Sequence, residues 1–282
     1  MSIIKEISSL HKIHLNQVTE NLHNLFAPLD FSLAVASILS GNTPGALYVD
    51  DPRQPAVALA RFKHHLFLTG APAGESLDGS LAHILCGEML TQARQEGMSA
   101  FLLQVADPAW ESHLLAILPC LKPIHDLRQF YACRQLAEPW QPLLPPGYEL
   151  RQVDTALLET PDLFGVDDLR VEMVSERPSV EDFLQRSFGV CLLYDKALVG
   201  FCLSEYNYAG RCEVGVWTAE THRQRGLGKL MSLALVEQAL QRGYHEIGWH
   251  CWADNLPSAA LAHSAGFVLS HDYPVYAYLL ED

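Results

Sequence analysis

Arg223-Gln224-Arg225-Gly226-Leu227-Gly228-Lys229 is the stretch around which the chain is organised. Cys212 to Thr218 before it reads as a strand, and Leu230 to Leu240 after it is apolar-rich and reads as a helix. A strand, a glycine-rich turn and a helix start let consecutive backbone N–H groups point at one anion, and phosphate is the natural guest. Gly226 and Gly228 lack a Cβ, so unusual backbone angles are open to them and a ligand can approach closely. Arg223, Arg225 and Lys229 add positive charge. A strand that turns into a helix through Arg and Gly also occurs without a ligand, so the loop alone leaves both readings open.

Two familiar phosphate loops do not fit. A P-loop needs Gly where Arg223 stands and Ser or Thr where Leu230 stands. A dinucleotide fingerprint needs a third Gly where Met231 stands. Arg223, Gly226 and Gly228 instead follow Arg/Gln-x-x-Gly-x-Gly, and downstream come a helix to Gly243, a strand Glu246 to Trp252, Asn255, Ser258, a helix ending Ala265-Gly266-Phe267, and a strand Val275 to Leu280. Loop and element order together resemble the GCN5-related N-acetyltransferase (GNAT) superfamily over roughly residues 147 to 282.

The first half repeats that order. Residues 1 to 40 read as helical from Ile3, Ile7, Leu10, Ile13, Leu22, Leu25 and Phe26. Strands are expected at Ala46 to Val49, Ala56 to Phe62 and His65 to Leu68, followed by a helix from Leu77 to Glu96 with Gly97 at its C-cap. A strand Ala100 to Val105, a helix Pro108 to Leu118 and a strand Leu127 to Arg134 complete the half. Gln92 to Gly97 lines up with Gln238 to Gly243, and Tyr131-Ala132 with Tyr276-Ala277. The slot matching Arg223 to Lys229 is Leu77 to His83, where only Gly79 remains, so one CoA site per chain is expected.

The expected fold class is therefore α/β (α+β): tandem GNAT-like domains, each a mixed, mostly antiparallel sheet flanked by helices. Residues 139–147, rich in proline, form the predicted linker between an N-terminal domain, 1–138, and a catalytic domain, 148–282. Within the latter, Tyr148 to Val153 reads as a strand and Asp154 to Arg186 as interrupted helix. Val190 to Tyr194, the Asp195-Lys196 turn and Leu198 to Tyr206 read as a hairpin.

At 282 residues, with 49% hydrophobic and 18% charged content, the chain reads as globular. No apolar run is long enough for a membrane span and no signal-peptide core opens the chain, so the cytoplasm is the expected compartment, with no membrane partner. Seven scattered cysteines without a Cys-x-x-Cys pair read as reduced, buried small hydrophobes, with no metal site. A net charge of -14 repels nucleic acid and suits a cationic acceptor.

The resemblance implies acetyl-CoA as co-substrate and acetyl transfer to a primary amine, with a small-molecule acceptor as the expectation. A protein lysine or N-terminus, or a non-catalytic acyl-CoA-binding regulatory module, are the alternatives. It further implies that Val216, Trp217 and Thr218 meet the pantetheine and that an N–H near Val216 or Trp217 polarises the thioester carbonyl. The N–H groups of Gln224, Arg225, Gly226, Leu227, Gly228 and Lys229 would hold the pyrophosphate beside Arg223. Glu213 falls where the family's general base stands, with a solvent-facing strand Glu as the plainer reading. Asn255 and Ser258 fall where the family contacts pantetheine or caps a helix. The family's usual acid, a Tyr four residues before the Gly of Gly-Phe, is replaced by Ala262. His263, Tyr273 and Tyr276 are then the nearest candidates for that role. Asp167, Asp168, Glu172 and Glu176 are read either as cation contacts walling the acceptor pocket or as a solvated acidic face.

Overall fold

The computed structural model describes residues 10–72, 75–95, 100–117 and 123–279. It divides into two compact units, Met1–Leu127 with Pro274–Asp282, and Arg128–Tyr273.

In the first unit β1 (His11–Ile13), α1 (Glu20–Phe26), α2 (Leu33–Leu39), β2 (Ala46–Val49), β3 (Val57–Phe62) and β4 (His65–Gly70) precede one long helical run. That run is α3 (Glu75–Ala82), a π-helical stretch (His83–Met89) and α4 (Leu90–Gln95); Gly97, the expected C-cap, lies outside the described residues. β5 (Ala100–Val105), α5 (Trp110–Ile117) and β6 (Pro123–Cys133) follow. His11–Ile13 forms a strand rather than helix, because its backbone pairs antiparallel with Leu47–Val49, and a long-range ladder overrides a helix-like spacing of apolar residues. Leu59, Leu66, Leu68, Leu81, Leu85 and Leu103 close the core between this sheet and the helical run.

The second unit continues with β7 (Tyr148–Gln152), α6 (Thr155–Leu158), α7 (Val166–Met173), α8 (Val180–Arg186), β8 (Gly189–Tyr194), β9 (Ala197–Tyr208) and β10 (Arg211–Thr218). Then come α9 (Leu227–Gln241), β11 (Glu246–Trp252), α10 (Leu256–Ser264) and β12 (Val268–Leu279). Asp195 and Lys196 turn the β8–β9 hairpin at φ 48° and 61°, the left-handed geometry of a two-residue hairpin. The sheet order is β6-β11-β10-β9-β8-β7. One face carries α9 and α10 over Cys202, Val214 and Trp249; the other carries α7 and α8 over Phe201 and Leu203.

The division of the chain differs from a cut at the proline stretch. Arg128–Cys133 pairs with Trp252–Ile247 in the second unit, and Tyr276–Leu279 pairs with Leu103–Ala100 in the first. Each unit thus takes a strand from the other half of the sequence, and 139–147 lies wholly inside the second. The last strand also begins at Val268, earlier than the expected Val275.

Candidate functional site

The parallel pair β10–β11 carries the feature that matters. Its register runs only from Arg211↔Glu246 to Glu213↔Gly248, although β10 continues to Thr218 and β11 to Trp252. Beyond Glu213 the two strands part, so alternate backbone groups of Val214–Thr218 face a gap instead of a neighbouring strand. Backbone N–H and C=O groups need partners, and an extended amide-bearing ligand supplies them. The equivalent parallel pair of the first unit, β4–β5, stays paired to the end of β5 at Leu68↔Val105, and Ala106 N–H extends the ladder onto Leu68 O at 2.9 Å. The first unit has no gap there.

At the far end of β10 sits the glycine loop. Gln224 at φ 60° and Gly226 at φ 76° take left-handed angles, and α9 begins at Leu227. A Cβ at Gly226 would meet nothing within 4 Å, so the backbone faces open space. Gly228 differs: a Cβ there would lie 3.0 Å from Leu261 Cδ2, so its role is the close packing of α9 on α10. The arginines pin the loop. Arg223 Nε donates to Thr218 O at 3.0 Å, and Arg225 donates to Thr221 O and the Tyr148 hydroxyl, both at 3.1 Å. Lys229 Nζ lies 2.5 Å from Glu138 Oε1. An anion here would therefore meet the N-terminal N–H groups of a fifteen-residue helix in a pre-shaped concavity.

At the apex of the gap, Glu213 is 3% exposed, with Oε1 3.1 Å from His250 Nε2. His250 Nδ1 is 2.8 Å from the Tyr273 hydroxyl. Phe130 and Glu213 close over Gly248, where a Cβ would lie 2.9 Å from Phe130 Cε2 and 3.1 Å from Glu213 Cγ. Opposite Glu213 the β9–β10 ladder slips, Cys212 facing Asn207 but Val214 facing Ser204, so Glu205 and Tyr206 share one position. Glu205 turns its carboxylate over Gly215, where a Cβ would sit 1.9 Å from Glu205 Oε1. Glu172 and Glu176 line a small cavity together with Glu205, and Tyr206 donates to Glu176.

Burial pushes the Glu205 carboxyl well above the ordinary range, and the charges of Glu176, Glu213 and Glu172 push it further, against the pull of Arg128. Burial and then Glu176 raise Glu172 as well. A raised carboxyl binds its proton more tightly in the folded chain, so the stability it contributes is full near pH 4 and is lost as pH climbs through the folded value. Glu205→Gln is accordingly expected to raise the Tm by about 2–5 °C at pH 8. The gain should vanish near pH 4, and thermal melts at the two pH values check it.

The predicted site residues divide among these places. Val216, Trp217 and Thr218 line the gap, and Gln224 to Lys229 form the loop. Asn255 Oδ1 accepts from Ser258 N–H at 3.1 Å, and Ser258 Oγ accepts from Trp249 Nε1 at 3.1 Å, so both residues anchor α10. His263 is exposed, with its ring edge on Tyr131 at 5.1 Å, a member of the α9-side core, whereas Glu213 lies on the opposite face of the sheet. Tyr276 is 3% exposed in the core of the first unit and pairs with Leu103 there. Ala262 is fully buried. Asp167 and Asp168 are exposed in the first turn of α7, whereas Glu172 and Glu176 are half-buried at the acidic cavity. Glu205 and His250 are the residues that sequence reading missed. His250 falls two residues after Gly248 on the same strand face, a pattern legible only once Glu213 and Gly248 are known to pair.

The family model described as GNAT acetyltransferase matches residues 24–276. The chain belongs to this family. As a GNAT protein it resembles the uncharacterized N-acetyltransferase YdfB of Bacillus subtilis, with 25% identity over 249 residues, 86% of this chain and 88% of that one. A solved GCN5-related N-acetyltransferase-like protein from Streptococcus suis superposes with a TM-score of 0.67 at 24% identity, covering 93% of this chain and 98% of its own. A tandem GNAT protein from the clavulanic acid biosynthesis pathway shares the fold across both halves, with a TM-score of 0.58 at 13% identity, covering 97% and 99%. The GNAT fold is thus the fold of the whole chain. Among the described residues no group of three or more His, Cys, Asp or Glu side chains converges as a metal site, and no helix is long and apolar enough to cross a membrane. Cys133, Cys191, Cys202, Cys212 and Cys251 are buried free thiols, and burial pushes Cys191 up to about 12.

Proposed function

We propose that this GNAT protein is a cytoplasmic acetyl-CoA-dependent N-acetyltransferase whose acceptor is the primary amine of a small cationic molecule. The observation that carries the reading is the parting of β10 and β11 beyond Glu213, which joins an open backbone edge to the pre-shaped loop at one end and to paired carboxylates at the other. Acetyl-CoA, when bound, supplies an acetyl group activated as a thioester. The chain's own residues do the rest. The N–H groups at the start of α9 hold phosphate oxygens, and Val214–Thr218 align the pantetheine amides along β10. Glu172, Glu176, Glu205 and Glu213 outnumber Arg128 and Arg177 on the α7–α8 side of the gap, which favours an ammonium acceptor over an anionic one. A carboxylate at the apex takes the ammonium proton, since only the neutral amine has a lone pair to react.

The closed β4–β5 pair of the first unit supports a single co-substrate site per chain. Titration of acetyl-CoA into the protein by calorimetry is expected to give about one site, and release of free CoA should then accelerate with a primary amine from a panel of mono- and diamines. Saturable binding without acceleration by any amine, peptide lysines included, would favour the binding-module alternative, which the buried Ala262 at the usual acid position motivates.

A further inference from the structure

Two carboxylates stand at the apex, and they are not equivalent. Resting on the acetyl-transfer reading above, we propose that Glu205, on β9, is the catalytic base that touches the acceptor nitrogen, and that Glu213 is a positioning residue held by His250.

Glu213 is almost wholly buried, its Cγ is packed under Gly248, and its Oε1 lies 3.1 Å from His250 Nε2. His250 meets the Tyr273 hydroxyl at its second ring nitrogen, so Tyr273, His250 and Glu213 form one continuous chain of contacts. Glu205 has the complementary properties. It is half-buried, and among the described residues no hydrogen bond or ion-pair contact holds its carboxylate. Continued pairing would set Gly215 opposite His250; the strands have parted there, and Glu205 Oε1 fills the space a Cβ at Gly215 would take. That places the carboxylate on the α7–α8 face of β10, two residues into the open edge. The slipped ladder explains why: one residue more on β9 than on β10 brings Glu205 beside Glu213 instead of burying it in register.

The charged and titratable groups around Glu205 include Glu172 and Glu176 from the α7 side, Tyr206 beside it on β9, Glu213 from β10 and Arg128 from β6, and Arg177, which pairs with Asp182, lines the same small cavity. Glu172, Glu176, Glu213 and Asp182 outnumber Arg128 and Arg177, which favours entry of the acceptor as R–NH3+. One N–H bond of that ammonium breaks as an O–H bond forms on Glu205, leaving R–NH2 with its lone pair free and a neutral carboxyl that gives its proton to water before the next turnover. The raised Glu205 carboxyl matches this task, because a base that works near neutrality holds its proton more tightly than an ordinary glutamate.

The role predicts a dependence on the acceptor that a structural residue would not show. Glu205→Gln should lower kcat/KM roughly 10²–10³-fold for an alkylamine that is an ammonium ion at pH 7.5. For hydroxylamine, largely neutral at that pH, the loss should be about threefold or less. Glu205→Asp should recover part of the alkylamine rate. Calorimetry should find acetyl-CoA affinity unchanged, and carbon NMR of the labelled side chains should show a glutamate carboxyl that titrates late in the unliganded protein and is missing in Glu205→Gln. The melting comparison at pH 8 verifies that the variant is folded. Equal losses with both acceptors, or alkylamine turnover within about threefold of wild type, would overturn the assignment. Wild type inactive on every amine would bring down the acetyl-transfer reading itself, and this role with it.

Discussion

Gly226→Trp is expected to weaken acetyl-CoA binding roughly 100-fold or more in a calorimetric titration, with the protein still folded. The loop offers backbone donors at a place where a Cβ would meet nothing within 4 Å, so an indole there projects into the space a phosphate needs. Losing two charge-assisted hydrogen bonds at about 1.5–3 kcal/mol each is enough for that factor. Backbone strain is a separate effect, because φ 76° is unfavourable for any residue with a side chain, by about 1–2 kcal/mol. Gly226→Ala isolates it: the same strain with a small side chain should lower the Tm by a few degrees and leave affinity within about threefold. Equal losses in the two variants would mean that loop conformation, not access, controls binding. Undiminished affinity in Gly226→Trp would remove the anion-site reading of the loop. Gly228 is the wrong place for this test, since a side chain there strikes Leu261 and disturbs the α9–α10 contact.

Trp110→Ala should destabilise the first unit by about 3–5 kcal/mol, measured as a fall in the urea midpoint at unchanged m-value. Trp110 is fully buried among Leu66, Leu68, Leu81 and Leu103, and its Nε1 donates to Gly70 O at 2.7 Å. The truncation removes a large apolar surface, opens a cavity and leaves the carbonyl at the end of β4 without its side-chain donor. That carbonyl belongs to a glycine at φ 87°, whose Cβ would sit 2.0 Å from Ala56 O, so the strand end has no room to shift and fill the hole. Trp110→Phe keeps most of the volume and loses the hydrogen bond, and should give up a smaller share, about 1–2 kcal/mol. A loss below about 1 kcal/mol in Trp110→Ala would show that α5 is not fixed by this side chain. The same hydrogen bond ties α5 to the end of β4, beside the pair that stays closed in this unit and open in the other.

That contrast sets the function apart from the fold. Both units run strand, strand, strand, helix, strand, helix, strand, and both contain one parallel pair. In the first the pair holds to the end of β5, while in the second it releases after Glu213. The segment between β4 and α3 carries no arginine, and Leu77, Gly79 and Leu81, which the sequence offset sets against the loop, lie within α3 itself. The cavity that Glu172, Glu176 and Glu205 share lies in the second unit, where burial and neighbouring carboxylates raise Glu172 and Glu205.

The sequence by itself determined what depends on neighbours along the chain. Gly226 and Gly228 before an apolar helix, Asp195-Lys196 between two alternating runs, and Asn255 three residues before Ser258 each specify a local geometry through backbone freedom or a short side-chain hydrogen bond. Tertiary structure alone decided what depends on pairing. His11–Ile13 became a strand because Leu47–Val49 lay alongside, and the two units traded strands because Arg128–Cys133 and Tyr276–Leu279 found partners far away in sequence. The same holds at the apex. Glu213 and Gly248 are adjacent only through the β10–β11 register, Glu205 is beside Glu213 only through a one-residue slip, and Tyr276 is distinguished from Tyr273 only by the unit that each joins. A shift of one residue in any of these ladders would carry the side chain to the other face of the sheet, and no spacing within the sequence encodes that choice.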